Sequence, residues 1–486
     1  MGTSLYRIDE LRAIEQAAAV GLPPGTLMAR AGREAAEWIA QRHAGAVQTV
    51  CIVCGPGNNG GDGFVSAAEL QSLGHDVRCV LLGVERPAAA DARAAYERWI
   101  GTGGRVDARI PAEAGFDIVI DALFGIGLAR PLAGDFLAAA HWMNRQPRVY
   151  SIDVPSGLDA DTGTWVGGVE GVLADATVTF IGDKPGLHTA QGTDAAGTVV
   201  VEPIGTHAEP LAGHLVGPDD FEPLTRPRRN NSHKGTYGNV AIVGGGKGMV
   251  GAALLAGRAA LRLGAGRVYV DAIGAPELRV DPVRPELMFR AHAELDDLQA
   301  VVVGCGLGSD AAAHTALARV LSGNVPVVAD ADALNLLADD AGLQRLAAES
   351  AATLVLTPHP LEAARLLRCS SADVQADRVA AAIRLAQQHT CIVILKGAGT
   401  VIARADGRYA INPTGTPALA TAGTGDVLAG MIAAFLAQGH DAWTAAQAAT
   451  WLHGAAAHGS DIGLLADEVA ARAVEELRRL RARVSA

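Results

Sequence analysis

Continuous Val- and Ile-rich runs that end in Gly or Asp constrain this chain more than any other feature. TVCIVCG, DVRCVLLG, FDIVIDALFG, RVYSIDVPSG, ATVTFIG and TVVVEPIG recur through the first 200 residues, with helical stretches such as FVSAAELQSLG separating several of them. A run with no polar alternation cannot face water on one side, so these strands belong in a mostly parallel sheet covered on both faces. In such a sheet ligands gather at the carboxyl ends of the strands. A second series follows: NVAIVGGG, RVYVDAIG, AVVVGCGLG, VPVVADADALN, TLVLTPHP and CIVILKGAG. Helices of 3.6-residue period accompany it, as in VGAALLAGRAALRLG and DEVAARAVEELRRLRARV. Between the two series, IGTHAEPLAGHLVGPDDFEPLTRPRRNN is polar and Pro-containing and sustains no period. The pattern predicts an α/β protein of two domains, residues 1–210 and 230–486, with a linker at 211–229.

Composition narrows the ligands. The 486 residues exclude a single small module, and 49% hydrophobic against 19% charged residues supply large cores. Forty basic and fifty-two acidic residues leave a net charge of −12, which disfavours a broad nucleic-acid or anionic-membrane surface and favours small molecules. The opening MGTSLYRIDELRAIEQ puts charge where a signal peptide needs its apolar core, so a cytoplasmic protein is expected. Gly415 to Gly439 is nearly uncharged, but Thr, Gly, Pro and Asp426 interrupt its first half, and what remains is too short to span a bilayer. Six cysteines in so long a chain fit a reducing compartment. Cys51 and Cys54 form a C-x-x-C, but on a strand residues three apart point to opposite faces, which predicts buried thiols.

The polar residues after each strand carry the chemistry. Gly55-Pro56-Gly57-Asn58-Asn59-Gly60-Gly61-Asp62-Gly63 lies between a strand and a helix. Small and amide-bearing residues there let backbone N–H groups approach an anion at a helix N-terminus. The same segment satisfies G-x-G-x-x-G, with Glu85 placed where a dehydrogenase keeps its ribose-binding acid; a tight turn alone would also use some of these glycines. Asp121 and Asp153 close two further strands and could face the same cleft, although an Asp at such a place also serves as a cap or turn former.

GPGNNGGDG, DALFGIGLARPLAG and SIDVPSGLD, with LMARAG near residue 30, resemble the N-terminal epimerase domain of the NAD(P)H-hydrate repair enzymes over residues 5 to 205. The resemblance implies a Rossmann-like three-layer α/β sandwich. It also implies that Asn58, Asn59, Gly60, Gly61, Asp62, Gly125, Ile126, Gly127, Leu128, Ala129, Arg130 and Pro131 hold the hydrated dinucleotide. Asn59, Asp121 and Ser156 would ligate a potassium ion, and Asp153 would contact substrate and help with proton transfer.

In the second series, Ala422-Gly423-Thr424-Gly425-Asp426 opens the apolar helix VLAGMIAAFLAQG. Glycine-rich backbone at a helix start stabilises a transferring phosphoryl group, and an acid there can accept a hydroxyl proton, unless Asp426 merely caps the helix. Lys396-Gly397-Ala398-Gly399-Thr400 follows another strand without forming a Walker loop, and His359 with Glu362 follows a third, a place where a lone His is commonly structural.

These segments, with SHKGTYGNVAIVGGG and VVADADALN, resemble the ADP-dependent hydrate dehydratase domain of the ribokinase-like superfamily over residues 230 to 480. By that resemblance Lys396, Gly397, Ala398, Gly399, Thr400 and Gly425 bind the nucleotide. Gly251, Ala252, Gly308, His359 and Asp426 meet the hydrate, and Asp426 is the base. Leu361 and Cys305 stand where family members commonly have Gly and Pro. The expected activity is repair of NADH or NADPH hydrated at C6: the R and S forms are epimerised, and the S form is dehydrated with ADP, giving AMP and phosphate. Mg²⁺ is implied without assigned ligands, as is a homo-oligomer, with no nucleic acid or membrane partner. Two readings compete with it. One is a ribokinase-like kinase of a small vitamin precursor, which would accumulate a phosphorylated product, fused to a nucleotide-binding or scaffold module. The other is a Rossmann dehydrogenase, which the second domain's GTGD turn does not support.

Overall fold

In the computed structural model residues 3–111, 115–207 and 212–484 are described, and they fall into two compact units, residues 4–207 and residues 212–484 with Thr3. The first unit is built on seven parallel strands in the order Arg105–Asp107, Asp76–Leu81, Thr49–Cys54, Ile118–Ala122, Val149–Ile152, Ala176–Phe180, Thr198–Glu202. Chain order reverses between Thr49–Cys54 and Ile118–Ala122, and that reversal opens a crevice at the carboxyl ends of the two strands. One face is covered through Met28, Ala35, Phe64 and Trp99, the other through Ala139, Ala140 and Met143, so the three-layer sandwich is present. Cys54 belongs to the first of these cores and Cys51 to the second, and burial pushes the Cys51 thiol up to about 12. The C-x-x-C is therefore packing, not redox chemistry.

The strands of the second unit run Gly213–Leu215, Tyr409–Ile411, Val401–Arg404, Ile392–Leu395, Leu354–Leu356, Val327–Ala329, Ala300–Val303, Asn239–Gly244, Arg267–Ala272, Met288–Phe289. Val401–Arg404 is antiparallel to both neighbours, and the other pairings are parallel. The helix Thr424–Ala437 crosses the middle of this unit. Twelve of its fourteen residues are buried, and the two that are not are Gly425 and Asp426. From Val427 onward the helix is apolar on every side and has no face to give to water. Gly430 lets it lie against the helix Val250–Arg262, since a Cβ there would stand 2.1 Å from the Ala256 carbonyl oxygen.

Two expectations are corrected. The stretch 211–229 is not a free linker, although residue 211 itself lies outside the described residues. Gly213–Leu215 is a strand, Pro218–Phe221 a 3₁₀ turn and Glu222–Thr225 a short helix, and Val216, Phe221 and Leu224 are buried in the second unit's core. Elements of three or four residues are too short to show a period, which is why the sequence reads as irregular. Likewise Asn58 to Asp62 are not a loop before a helix. They are its first residues, the helix running Asn58–Ser72 from Gly57 as N-cap. Among the described residues no helix is long and apolar enough to cross a membrane.

Candidate active sites

The first site fills the crevice of the N-terminal unit. A cavity of about 880 Å³ is lined by Asn58, Asn59 and Asp62 from the helix start, Gly125 to Leu128 after Ile118–Ala122, Asp153 after Val149–Ile152, and Lys184. Asp153 has a left-handed backbone (φ 69°), an uncommon conformation for a residue with a Cβ, which aims its carboxylate across the crevice. One oxygen accepts the Ile126 N–H at 3.0 Å and the other lies 3.2 Å from Lys184 Nζ. Lys184, almost wholly buried, also donates to Thr179 Oγ1 and to the carbonyls of Phe180 and Gly182. Buried ammonium groups need such a set of acceptors.

Asp121, near the carboxyl end of Ile118–Ala122, is fully buried. It accepts the Ser156 hydroxyl at 2.6 Å, the Ser156 N–H at 2.8 Å, the Ser151 hydroxyl at 3.0 Å and the Leu123 N–H at 3.2 Å. Burial still pushes its carboxyl above the usual range despite those donors. Both amide atoms of Asn59 are buried with no protein partner. The Ser156 hydroxyl faces acceptors at both Asp121 and the Phe124 carbonyl, and a single proton cannot serve both. An orphaned amide oxygen, a buried carboxylate and an over-subscribed hydroxyl are hard oxygen donors, and they fit a monovalent cation.

The second site lies where five neighbouring parallel strands end. Lys396 follows Ile392–Leu395, His359 follows Leu354–Leu356, Asp330 follows Val327–Ala329, the Gly304 to Gly308 segment follows Ala300–Val303, and Gly245 follows Asn239–Gly244. Lys396 Nζ lies 2.7 Å from Asp330 Oδ1. A Cβ on Gly425 would stand 3.3 Å from Lys396 Nζ and 3.5 Å from Asp330, so the helix start, the cation and this acid share one small space. Burial pushes Lys396 down, but Asp330 and Glu362 outweigh it and leave the ammonium above its ordinary value. Asp426 is the third residue of its helix, whose N-cap is Gly423 with no side-chain cap, so the capping alternative fails. Burial raises its carboxyl to about 6, with Asp330 and Asp332 adding to the rise while Cys305 and Lys396 oppose it. The helix start is fixed from outside. The Thr424 hydroxyl meets the Leu419 and Thr421 carbonyls, and the His453 ring meets the Thr424 carbonyl at 2.9 Å, with burial pushing that imidazole down to about 4.

A family model described as NAD(P)H-hydrate dehydratase matches residues 240–468, and one described as YjeF-related protein N-terminus matches residues 24–186. The bifunctional NAD(P)H-hydrate repair enzyme Nnr of Escherichia coli (strain K12) is 37% identical over 470 residues, covering 93% of this chain and 89% of its own. That of Vibrio cholerae is 38% identical, covering 96% and 97%. This chain belongs to the bifunctional NAD(P)H-hydrate repair enzymes. Among solved structures, an ADP/ATP-dependent NAD(P)H-hydrate dehydratase from Bacillus subtilis, co-crystallised with ATP/Mg²⁺, is 32% identical over 53% of this chain and 96% of its own, with a TM-score of 0.46.

Within this repair enzyme the expected residues separate into those that reach a cavity and those that support one. Asn58, Asn59, Asp62, Gly125, Ile126, Gly127, Leu128 and Asp153 line the N-terminal cavity. Gly60 and Gly61 are buried beside it, and Ala129, Arg130 and Pro131 are exposed beyond it. Glu85 is exposed and does not line it, so it does not take the place of a ribose-binding acid in this crevice. In the C-terminal unit Gly251 and Gly308 face open space, Ala252 packs near Gly306, and the Gly308 N–H donates to Asp332. Gly397 and Ala398 are exposed, and Gly399 and Thr400 are partly so. His359 serves the structural role that its sequence context allowed. Its Nδ1 accepts the Leu361 and Glu362 N–H groups as a helix cap, while the ring stays half exposed. Burial raises its partner Glu362 to about 7.

Lys184, Asp330 and Arg378 were not singled out by the sequence. Arg378 is buried and donates to the Leu395 and Lys396 carbonyls, pinning the Lys396 turn from beneath. Asp330 is the first acid of VVADADALN, and its place directly after the buried strand Val327–Ala329 was the one available signal. Lys184 sits in GDKPG, where nothing in the sequence marks burial.

Proposed function

We propose that the two sites divide the repair of hydrated NADH or NADPH between them, the N-terminal crevice interconverting the R and S hydrates and the C-terminal site dehydrating the S form with ADP. The observation that carries this is Asp426, half-buried and proton-hungry, on the first turn of an anion-receptive helix beside Lys396. There Asp426 deprotonates the C6 hydroxyl, which attacks the β-phosphoryl of ADP. The Gly425 backbone and the segment Lys396 to Thr400 stabilise the charge on the transferring group. Phosphate then leaves C6 where hydroxide could not, the C5 proton passes to the departing phosphate, and the C5–H electron pair becomes the C5=C6 bond, giving the reduced ring, AMP and phosphate. Gly251, Ala252, Gly308 and His359 hold the hydrate.

Cys305, Asp330 and Asp426 come within 4.8 Å of one another, but the group includes a thiol and Asp330 is already paired with Lys396, so it does not fit Mg²⁺. In the N-terminal site Asn59, Asp121 and Ser156 would hold a potassium ion, which when bound supplies positive charge beside the dinucleotide pyrophosphate. Asp153 accepts the C6 hydroxyl proton as the carbinolamine opens.

The test is to mix racemic hydrate with ADP and Mg²⁺ and follow NADH absorbance. Complete recovery supports both activities, a rapid recovery of half supports the dehydratase alone, and none defeats the proposal. A phosphorylated organic product in place of inorganic phosphate would favour the kinase reading.

A further inference from the structure

The N-terminal cavity holds more acid than epimerisation by Asp153 alone requires. Glu15 and Asp62 line it as well, with Arg12 at its edge. Asp62 lies at the start of the second turn of Asn58–Ser72. Its carbonyl accepts the Ser66 hydroxyl, but among the described residues its carboxyl has no hydrogen-bond partner, so it is free for whatever enters the cavity. Asp153 is its opposite, with both oxygens engaged, one by Ile126 and one by Lys184. One carboxyl braced by a cation and one left unpaired among other acids, around a single cavity, is the arrangement by which an acid and a base are told apart. Burial, with Asp153 and Glu15 nearby, pushes the Asp62 carboxyl well upward, so it keeps its proton into a higher pH range than a solvated aspartate.

We propose that Asp62 is the second proton-transferring residue of the epimerisation, serving the ring nitrogen while Asp153 serves the C6 oxygen. This rests on the epimerase reading above. Asp153 takes the proton of the C6 hydroxyl, and the freed O–H pair becomes the second bond of a C6 aldehyde. The C6–N1 bond breaks, its electron pair goes to N1, and N1 takes the proton of Asp62. Rotation about C5–C6 turns the other aldehyde face to N1. N1 adds to it, Asp62 recovers its proton, and Asp153 returns the other to oxygen. No oxidant is needed and no proton is gained or lost.

The experiment uses the full chain with racemic hydrate, ADP and Mg²⁺, where R-hydrate recovery appears as a second phase, read against an enzyme-free blank. Asp62→Asn is expected to slow that phase at the kcat level by about 100-fold or more, with KM for the R hydrate moving less than threefold. Asp62→Ala is expected to be equally slow and to be rescued saturably by added formate, which a merely structural role would not allow. A second phase within threefold of the unsubstituted chain, a loss confined to KM, or the absence of formate rescue would each overturn the assignment. If the unsubstituted chain itself shows one phase of half amplitude, the epimerase reading fails, and this assignment fails with it.

Discussion

Asp426 is asked both to be ionised for chemistry and to sit where ionisation is costly. Its carboxyl is raised to about 6, chiefly by burial. A base must be deprotonated, so kcat/KM for dehydration is expected to fall about tenfold per pH unit below about 6, and Asp426→Asn to lose about 10²–10⁴ of the rate. The same residue sets the sign of a stability effect. A folded-state value above the unfolded one means that ionisation weakens the fold, a cost fully present at pH 7 and gone below about 4. Asp426→Asn should therefore stabilise the C-terminal unit at pH 7 by about 1–3 kcal/mol and have little effect at pH 4; equal urea midpoints at pH 7 would refute this. In the other unit, a Cβ at Gly125 would stand 2.2 Å from an Asp153 oxygen and 3.3 Å from Asn59 Oδ1. Gly125→Ala is expected to remove the slow epimerisation phase while leaving the fast dehydration phase, as the two-phase absorbance assay would show.

At the scale of elements, close approach between helix and neighbour decides where the sites sit. Gly430→Val would drive a branched side chain into the Ala256 carbonyl, 2.1 Å away, which neither helix can avoid without separating. The expected cost is about 3 kcal/mol, read as a lower denaturation midpoint with dehydratase activity lost early. Buried strands and long apolar helices were legible because their patterns repeat over many residues, and the motifs after them were legible because glycine and acid at a strand end have few other uses. Gly213 to Thr225 escaped because its elements are shorter than one period. Lys184 escaped because two of its acceptors are the carbonyls of Phe180 and Gly182, which leave no trace in residue type, and its pairing with Asp153, 31 positions earlier, depends on the fold. Asp330 ended a strand as visibly as Asp121 did, but its pairing with Lys396, 66 positions later, depends on strand order that the sequence does not state.

For the molecule as a whole, each site is made from one unit's residues. The N-terminal cavity draws on residues between Leu11 and Ile204, and the C-terminal constellation on residues between Gly245 and His453. Each unit also has its own core, the first around Ile52, Phe64 and Trp99, the second around Val302, Ile394 and Ile432. Sites complete within separate units predict that a hydrate can leave one as a free small molecule and meet the other, on this chain or another. Chains carrying Asp153→Asn and chains carrying Asp426→Asn should therefore complement when mixed. The first alone should recover the S half of a racemic hydrate and the second alone should recover none, while the mixture recovers all of it. The rate of its slow phase should rise in proportion to the Asp426→Asn chain added, because that chain supplies the only working epimerase. A mixture that stalls at half recovery beyond the enzyme-free rate would show that hydrate must pass between sites of one chain.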